Sequence, residues 1–247
     1  MSLQNKKPFA LIGENADDFI KIALSNEEFE VISLPPDDRL AQQVSSHADM
    51  LIFAIDDTIF CNENYYQKHI SIFEQIKSYG YKINSSTFTV SKKYPNDVAL
   101  NQARIGKSIF GYSQSCAKSI LKYLSEHGYT YHSVKQGYAK CSTLILGDNA
   151  IISADTNIVS TAKKLNIDTL KIENGSDEII LNGYDYGFIG GASAVYKDNV
   201  FFFGDLKMHS QGNEISEFCK LNGFLPISIG TKKLCDVGGA IILPPLN

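Results

Sequence analysis

The apolar positions of the chain fall in short runs, and these runs predict paired strands. Residues Cys141 to Asp155 consist of an apolar run, a polar break at Asp148-Asn149 and a second apolar run. Asp and Asn both tolerate the positive φ that a tight hairpin turn requires. The stretch therefore predicts a β-hairpin that turns at Asp148-Asn149.

The same pattern recurs along the chain. Two turn residues, one variable residue and two large apolar residues follow one another at 56–60, 106–110, 148–152 and 198–202. The intervals are roughly 40 to 50 residues, which is typical of repeat architectures. Each hairpin is followed by apolar residues at helical spacing, a Gly or Asn, and a further short strand-like run. The pattern predicts repeated strand-strand-helix-strand units.

One further unit is predicted to be split between the termini. Gly190-Gly191-Ala192 opens one hairpin, and Gly238-Gly239-Ala240 opens another that lacks its returning strand. The missing strand, helix and third strand are predicted at Phe9 to Leu34. Joining the two ends in one unit leaves no free sheet edge. We expect a single α/β domain over residues 1–247, a five-fold pseudosymmetric α/β propeller whose ring is closed by the two termini.

An open, doubly wound α/β sheet is the alternative fold. It would explain why strands and helices alternate. It would not explain why the strands before each helix come in hairpins. The recurrent hairpins therefore favour the ring.

Composition excludes several classes of function. The 247 residues are 44% hydrophobic and 20% charged, with a net charge of -4, so no basic footprint for nucleic acid is present. The five cysteines show no disulfide-framework or zinc-finger spacing, and no other metal-ligand spacing is recognisable. No apolar run is long enough for a signal peptide core or a membrane span. We expect a cytoplasmic protein with reduced thiols, no cofactor, no metal, and neither a nucleic-acid nor a membrane partner.

A ring of five such units with a Gly-Gly opening near the C-terminus resembles the pentein superfamily of guanidino-group-modifying enzymes. That superfamily includes amidinotransferases, arginine and agmatine deiminases, and dimethylarginine dimethylaminohydrolases. The resemblance implies a C-terminal cysteine nucleophile after the Gly-Gly turn, a histidine proton shuttle in the preceding unit, and acidic residues that hold the guanidinium.

The residues that the resemblance implies are missing from this chain. The nucleophile position corresponds to Ile242, and no histidine lies between His132 and His209. The acidic pair of the second unit corresponds to Asn101-Gln102. Guanidine chemistry needs an activated thiolate and carboxylates around the cation. The chain is therefore identified as an atypical member that lacks the standard catalytic residues, and its ligand is expected to be polar and not cationic.

Two groups of residues are candidates for chemistry. Cys141 follows Lys140, which could lower the pKa of the thiol, although a small buried cysteine is the simpler interpretation. Asp205, Lys207 and His209 bring a carboxylate, an ammonium and an imidazole into one short loop. Asp205 could equally be a helix N-cap, as could Asp155 at the matching place one unit earlier. Asp236 beside Cys235 more often marks packing.

Three hypotheses follow from these candidates. The first is a small polar metabolite bound in a central cavity, without guanidine hydrolysis or transfer, lined by Asn101, Lys140, Cys141, Asp155, Asp205, His209 and Asp236. The second is a thiol-dependent hydrolase or amidinotransferase-like enzyme with Cys141 as nucleophile, His209 as base and Asp205 nearby. The third is a structural or interaction protein. The sequence indicates neither the ligand nor the oligomeric state.

Overall fold

The structure is a computed structural model, and it describes residues 6–175 and 178–246. The strands are β1 Phe9–Gly13, β2 Glu30–Leu34, β3 Ile52–Ile55, β4 Thr58–Asn62, β5 Lys82–Ser86, β6 Ala103–Ile105, β7 Ser108–Gly111, β8 Thr130–Ser133, β9 Thr143–Leu146, β10 Ala150–Ser153, β11 Asp168–Lys171, β12 Ile179–Ile180, β13 Ser193–Tyr196, β14 Asn199–Phe203, β15 Leu225–Ile229, β16 Leu234–Cys235 and β17 Ala240–Leu243. The α-helices are α1 Asp18–Asn26, α2 Ala48–Leu51, α3 Glu63–Lys68, α4 Ile70–Lys77, α5 Lys118–Glu126, α6 Thr156–Lys164 and α7 Gly212–Leu221.

Within the described ranges the strands form five three-stranded sheets of one design. Their orders are β17-β1-β2, β3-β4-β5, β6-β7-β8, β9-β10-β11 and β13-β14-β15. In each sheet the central strand pairs antiparallel with its hairpin partner and parallel with the strand that follows the helix. The fold is therefore mixed α/β, and the open doubly wound sheet is wrong because no large parallel sheet joins these strands.

The split unit joins the two ends of the described chain. Strand β17 runs antiparallel to β1, with Ile241 opposite Leu11 and Ile242 opposite Ala10. Strand β1 then pairs in parallel with β2 after the α1 crossover. The position that the family resemblance assigns to a nucleophile is thus occupied by a mostly buried isoleucine in the sheet.

Both faces of the central strands are covered, which explains why their sequences are continuous apolar runs. Successive side chains of a strand point to opposite faces. In β1, Phe9 and Leu11 belong to one hydrophobic cluster, whereas Ala10 and Ile12 belong to another. Strand β14 divides in the same way, with Phe202 in one cluster and Phe201 in another.

Several element boundaries differ from the sequence-based expectations. The positive φ of the β9–β10 turn lies at Gly147, and not at Asp148 or Asn149, because glycine adopts this conformation without steric cost. The turn before β14 is Lys197-Asp198, so Asn199 already belongs to the strand. The helix predicted after β4 is broken at His69 into α3 and α4.

The first strands of neighbouring units pack against one another. Strand β9 contacts β6 and β13, and β13 contacts β17. The described part of the chain contains no helix with the length and apolar character needed to cross a bilayer.

Candidate functional site

The segments that precede the five first strands are linked by a cycle of hydrogen bonds. The N–H of Asp49 donates to Gly238 O, that of Gly239 to Gly191 O, and that of Gly191 to Cys141 O. The N–H of Cys141 donates to Oδ1 of Asn101, and Nδ2 of Asn101 donates to Asp49 O. Equivalent segments of all five units therefore meet at one place.

Two glycines at this place make room for side chains of neighbouring segments. Gly238 has a φ of +78°, and a Cβ there would lie 2.2 Å from Cβ of His47. A Cβ at Gly191 would lie 2.0 Å from Oδ1 of Asp236. Because no larger residue fits beside these side chains, the Gly-Gly segments serve to admit His47 and Asp236.

Asn101 is fully buried and organises the segment that carries Cys141. Its Oδ1 accepts hydrogen bonds from the N–H groups of Lys140 at 2.8 Å and Cys141 at 3.2 Å. Its Nδ2 lies 3.1 Å from Sγ of Cys141, to which it donates. Buried polar groups must be paired, so this one side chain satisfies two backbone donors and orients the thiol.

The thiol of Cys141 is hydrogen-bonded to a buried carboxylate. Sγ donates to Oδ2 of Asp49 at 2.9 Å. Burial, with a further contribution from the Asp49 charge, raises the pKa of Cys141 well above its usual value. Burial also raises the pKa of Asp49 to about 6, against the lowering effects of His47 and Lys140. The resting pair is therefore a protonated thiol beside a carboxylate at neutral pH.

His47 and Asp236 form the other polar part of the site. Nδ1 of His47 lies 3.8 Å from Oδ1 of Asp236, and both side chains are almost completely buried. The Asp236 carboxylate accepts backbone N–H groups of Phe188 at 2.8 Å and Gly238 at 2.9 Å. These donors fix the carboxylate, and the imidazole of His47 lines a cavity beside it.

A cavity of about 210 Å³ lies over Cys141. Besides the thiol, its lining consists of aromatic rings, two carboxylates, one imidazole and aliphatic side chains: Val44, His47, Met50, Tyr138, Leu181, Tyr184, Asp185, Tyr186, Phe188 and Asp236. No Lys or Arg of the described chain lines it. The parallel pair β12–β16 anchors one side, because Leu181 follows β12 and Asp236 follows β16.

A second cavity, of about 190 Å³, touches the other partner of the thiol. Asp49 and Lys140 line it together with Gln102, Arg104 and apolar residues of the first strands. It shares no lining residue with the cavity over Cys141. The hydrogen bond between Cys141 and Asp49 therefore joins two separate cavities.

The structure brings together four of the seven residues singled out from the sequence. Asn101, Lys140 and Cys141 are neighbours in the hydrogen-bond network, and Asp236 lines the cavity beside Cys141. Asp155 caps α6 by accepting from the N–H of Ile158. A ligand-binding role for these residues stays a prediction.

Asp205 and His209 lie apart from this group. Asp205 accepts from the N–H of Lys207 and caps a short 3-10 turn. His209 is buried, with Nδ1 accepting from the N–H of Gln211 and lying 3.6 Å from Glu178. Burial lowers the pKa of His209, against the opposite effect of Glu178. His209 does not line the cavity over Cys141, and its role as a base for that thiol stays a prediction.

Sequence reasoning missed His47, Asp49 and the aromatic segment from Tyr184 to Phe188. His47 and Asp49 stand just before β3, the place that Lys140 and Cys141 occupy before β9. Comparing the same place in every unit would have found them. Nothing in the sequence indicates that residues 181–188 cover the cavity, since this segment lies outside the repeat. Over the described ranges, no group of three or more His, Cys, Asp or Glu side chains is arranged to hold a metal ion.

Comparison with solved structures finds the same fold in guanidino-modifying enzymes. Dimethylarginine dimethylaminohydrolase (DDAH) from Pseudomonas aeruginosa matches with a TM-score of 0.55 and 15% identity over 87% of this chain and 79% of that one. Inosamine-phosphate amidinotransferase from Streptomyces griseus matches with 0.59 and 10% identity over 93% and 79%. Agmatine deiminase from C. jejuni matches with 0.53 and 9% identity over 93% and 89%. Identities this low show the fold alone.

Two further comparisons concern sequence. No curated protein matches this chain. A family model described as "Family of unknown function (DUF6873)" matches residues 11–241. The chain therefore belongs to this family of unknown function, and its fold is that of the pentein superfamily.

Proposed function

We propose that the protein is a five-unit pentein ring that binds a small organic cation in the cavity over Cys141. The ring is supported by the five sheets of one design and by the cycle of hydrogen bonds through Asp49, Asn101, Cys141, Gly191 and Gly238. The cycle has no free end, as expected of units that close on themselves. In this proposal the pairing of β17 with β1 completes the last unit.

The residues that line the cavity indicate which class of ligand it binds in this proposal. Tyr138, Tyr184, Tyr186 and Phe188 supply aromatic rings, and Asp185 and Asp236 supply negative charge. Aromatic faces and carboxylates both attract organic cations. A polar ligand without positive charge, which the sequence favours, would leave the buried Asp236 carboxylate without a counter-charge other than His47. We therefore infer an ammonium or guanidinium ligand with an apolar body.

The size of the cavity limits the ligand. A space of about 210 Å³ is smaller than most drug-sized binding sites. It suits a cationic head and a short alkyl or aryl group. The head would approach Asp236, which backbone donors hold in place, and the body would pack among the rings.

A second candidate function, thiol-dependent chemistry on that ligand, is favoured by one specific observation. Cys141 lines the same cavity and carries hydrogen bonds from Asn101 and to Asp49. His47, which lines the cavity as well, is better placed than His209 to exchange protons with a bound ligand. This arrangement differs from the one the pentein resemblance implies, because the thiol belongs to the β9–β10–β11 unit and not to the last one.

Thermal unfolding with three matched compounds tests the cation proposal. Butylamine and butylguanidine carry a positive head on the same chain that 1-butanol carries without charge. Ligands that bind only the native state raise its stability, by about 2.7 kcal/mol at 100 times Kd. We expect both cations, but not butanol, to raise Tm with increasing concentration, and the Asp236→Asn variant to lose this response. Equal stabilisation by butanol, or none by either cation, would reject the proposal.

The cytoplasm and the absence of nucleic-acid partners remain proposals. The five free cysteines are consistent with a reducing compartment. Fractionation of cells against compartment markers would test the location directly.

A further inference from the structure

The carboxylate of Asp49 is hydrogen-bonded to the Cys141 thiol. The proposed binding of a cation in the cavity over Cys141 does not use this carboxylate. Its Oδ2 accepts from Sγ at 2.9 Å, the residue is only 2% exposed, and its Oδ1 has no hydrogen-bond partner. A buried carboxylate with an unused acceptor is costly. Such groups are concentrated at functional sites.

The charges around Asp49 allow the thiol proton to move without burying a new charge. His47, Lys140, Cys141 and Asp236 are the titratable groups that act on Asp49. A thiol beside a carboxylate and a thiolate beside a carboxylic acid carry the same net charge. The donor that a thiolate needs is already present, because Nδ2 of Asn101 lies 3.1 Å from Sγ.

We propose that Asp49 is the proton acceptor that activates Cys141. The S–H bond breaks, its electron pair stays on sulfur, and the proton forms an O–H bond with Oδ2 of Asp49. Asp49 lines the second cavity, whereas Cys141 lines the first. In this proposal the proton is held on the side of the second cavity while a ligand occupies the first. The thiol chemistry rests on the proposed function, but the proton transfer does not require any ligand.

Alkylation of Cys141 by iodoacetamide tests the transfer without a ligand. Sulfur attacks the methylene carbon, the C–S bond forms, iodide leaves, and the thiol proton passes to Asp49. The rate at Cys141 is followed from pH 5 to pH 10 by peptide mass spectrometry, with Cys141→Ser to identify the signal. In the wild type we expect the rate to rise through about pH 6, where Asp49 loses its proton, and then to level off.

The Asp49→Asn variant decides between two roles. If Asp49 accepts the proton, the variant reacts roughly 100-fold more slowly at pH 7, the lower end of what a positioned base contributes, and its inflection moves above about 8.5, the value of a free thiol. If Asp49 only repels the thiolate, the variant reacts faster, and the proposal is overturned. Asp57→Asn, which removes a carboxylate paired with Lys82, should leave the profile unchanged.

If Asp49→Asn does not fold, the pH profile of Cys141 alkylation in the wild type tests the proposal by itself. An inflection near pH 6 supports Asp49 as acceptor, and a rate that rises only above about pH 8.5 overturns it. A failure here leaves the thermal response to butylguanidine unaffected, so the two proposals fail separately.

Discussion

The segments before β9 and β17 occupy the same place in their units and are built in opposite ways. In Lys140-Cys141-Ser142 the thiol of Cys141 hydrogen-bonds to Asn101 and Asp49, and the backbone N–H groups of Lys140 and Cys141 donate to Asn101. Val237-Gly238-Gly239 presents two residues without side chains. A Cβ at Gly238 would collide with His47, and both glycines have positive φ. One unit thus supplies a functional group where another supplies the space for a neighbour's group.

The difference between the segments before β9 and β17 explains how a repeated unit produces a single asymmetric site. The five segments occupy equivalent places in their units and meet at one place. A glycine in a segment leaves space for a neighbouring side chain, whereas a polar residue contributes its own side chain to the site. His47 and Asp49 come from one segment, and Asn101, Cys141 and Asp236 come from three others, so no one motif in the sequence contains the site.

The largest loss of stability is expected when a side chain is added to the glycine segment before β17. Gly238→Ala places a methyl 2.2 Å from Cβ of His47 at a φ of +78°. Strain and overpacking together should lower the free energy of unfolding by about 3 to 5 kcal/mol, measured by urea denaturation. Gly128→Ala is the matched control, since Gly128 has a φ of +71° with nothing within 4 Å. It should cost only about 1 to 2 kcal/mol, and equal losses would contradict the role of Gly238.

A somewhat smaller loss of stability is expected when the side-chain amide of Asn101 is removed. Asn101→Ala leaves the buried N–H of Cys141 and the partly buried N–H of Lys140 without their acceptor. We expect a loss of about 3 kcal/mol, since each unsatisfied buried group costs roughly 1 to 3. Asn157→Ala removes one acceptor from the exposed N–H of Lys135 and should cost less than about 1 kcal/mol. The two denaturation midpoints should therefore differ clearly, and similar losses would mean that Asn101 does not organise the site.

Asp49→Asn is expected to stabilise the protein, and the gain should depend on pH. Burial raises the pKa of Asp49 from 3.8 to about 6, so its ionisation opposes folding above pH 6. As pH falls from about 6 to 4, the native state takes up a proton that the unfolded state does not, and this penalty disappears. The variant should be more stable by about 2 to 3 kcal/mol at pH 7.5 and equal near pH 4. A gain that is constant with pH would contradict the assignment.

The smallest effect concerns the rim of the cavity. Asp185 is exposed, so its attraction for a bound cation is screened and worth at most about 1 kcal/mol, roughly a fivefold change in Kd. Asp185→Asn should weaken butylguanidine binding within that range in calorimetric titration, whereas the buried Asp236→Asn should abolish it. A larger loss from Asp185 than from Asp236 would place the cation at the rim.

The repeated unit could be predicted because each copy shows the same local sequence patterns. Hairpin turns, helix stops and apolar runs recur with each unit, and they led to the strand-strand-helix-strand order and the split unit. Boundaries shifted where tertiary contacts outweighed local preference, as at Met50 and Leu51, whose apolar side chains continue the apolar run of β3 in the sequence but are buried in α2.

The site was predictable only in part, because its contacts join distant segments. Cys141 stood out through its neighbour Lys140, yet its partners Asn101 and Asp49 are 40 and 92 residues away in the chain. His209 and Asp205 stood out because they are close in sequence, but their side chains accept hydrogen bonds only from nearby N–H groups at a turn among the described contacts. Proximity along the chain was a poor guide to proximity around the segments that meet at the site.

A crystal structure of the protein with butylguanidine tests the central claim most directly. We expect the guanidinium against the Asp236 carboxylate, its chain among Tyr138, Tyr186 and Phe188, and Sγ of Cys141 facing the ligand with Asp49 behind it. An empty cavity at saturating ligand, or a guanidinium bound away from Asp236 and Cys141, would contradict it.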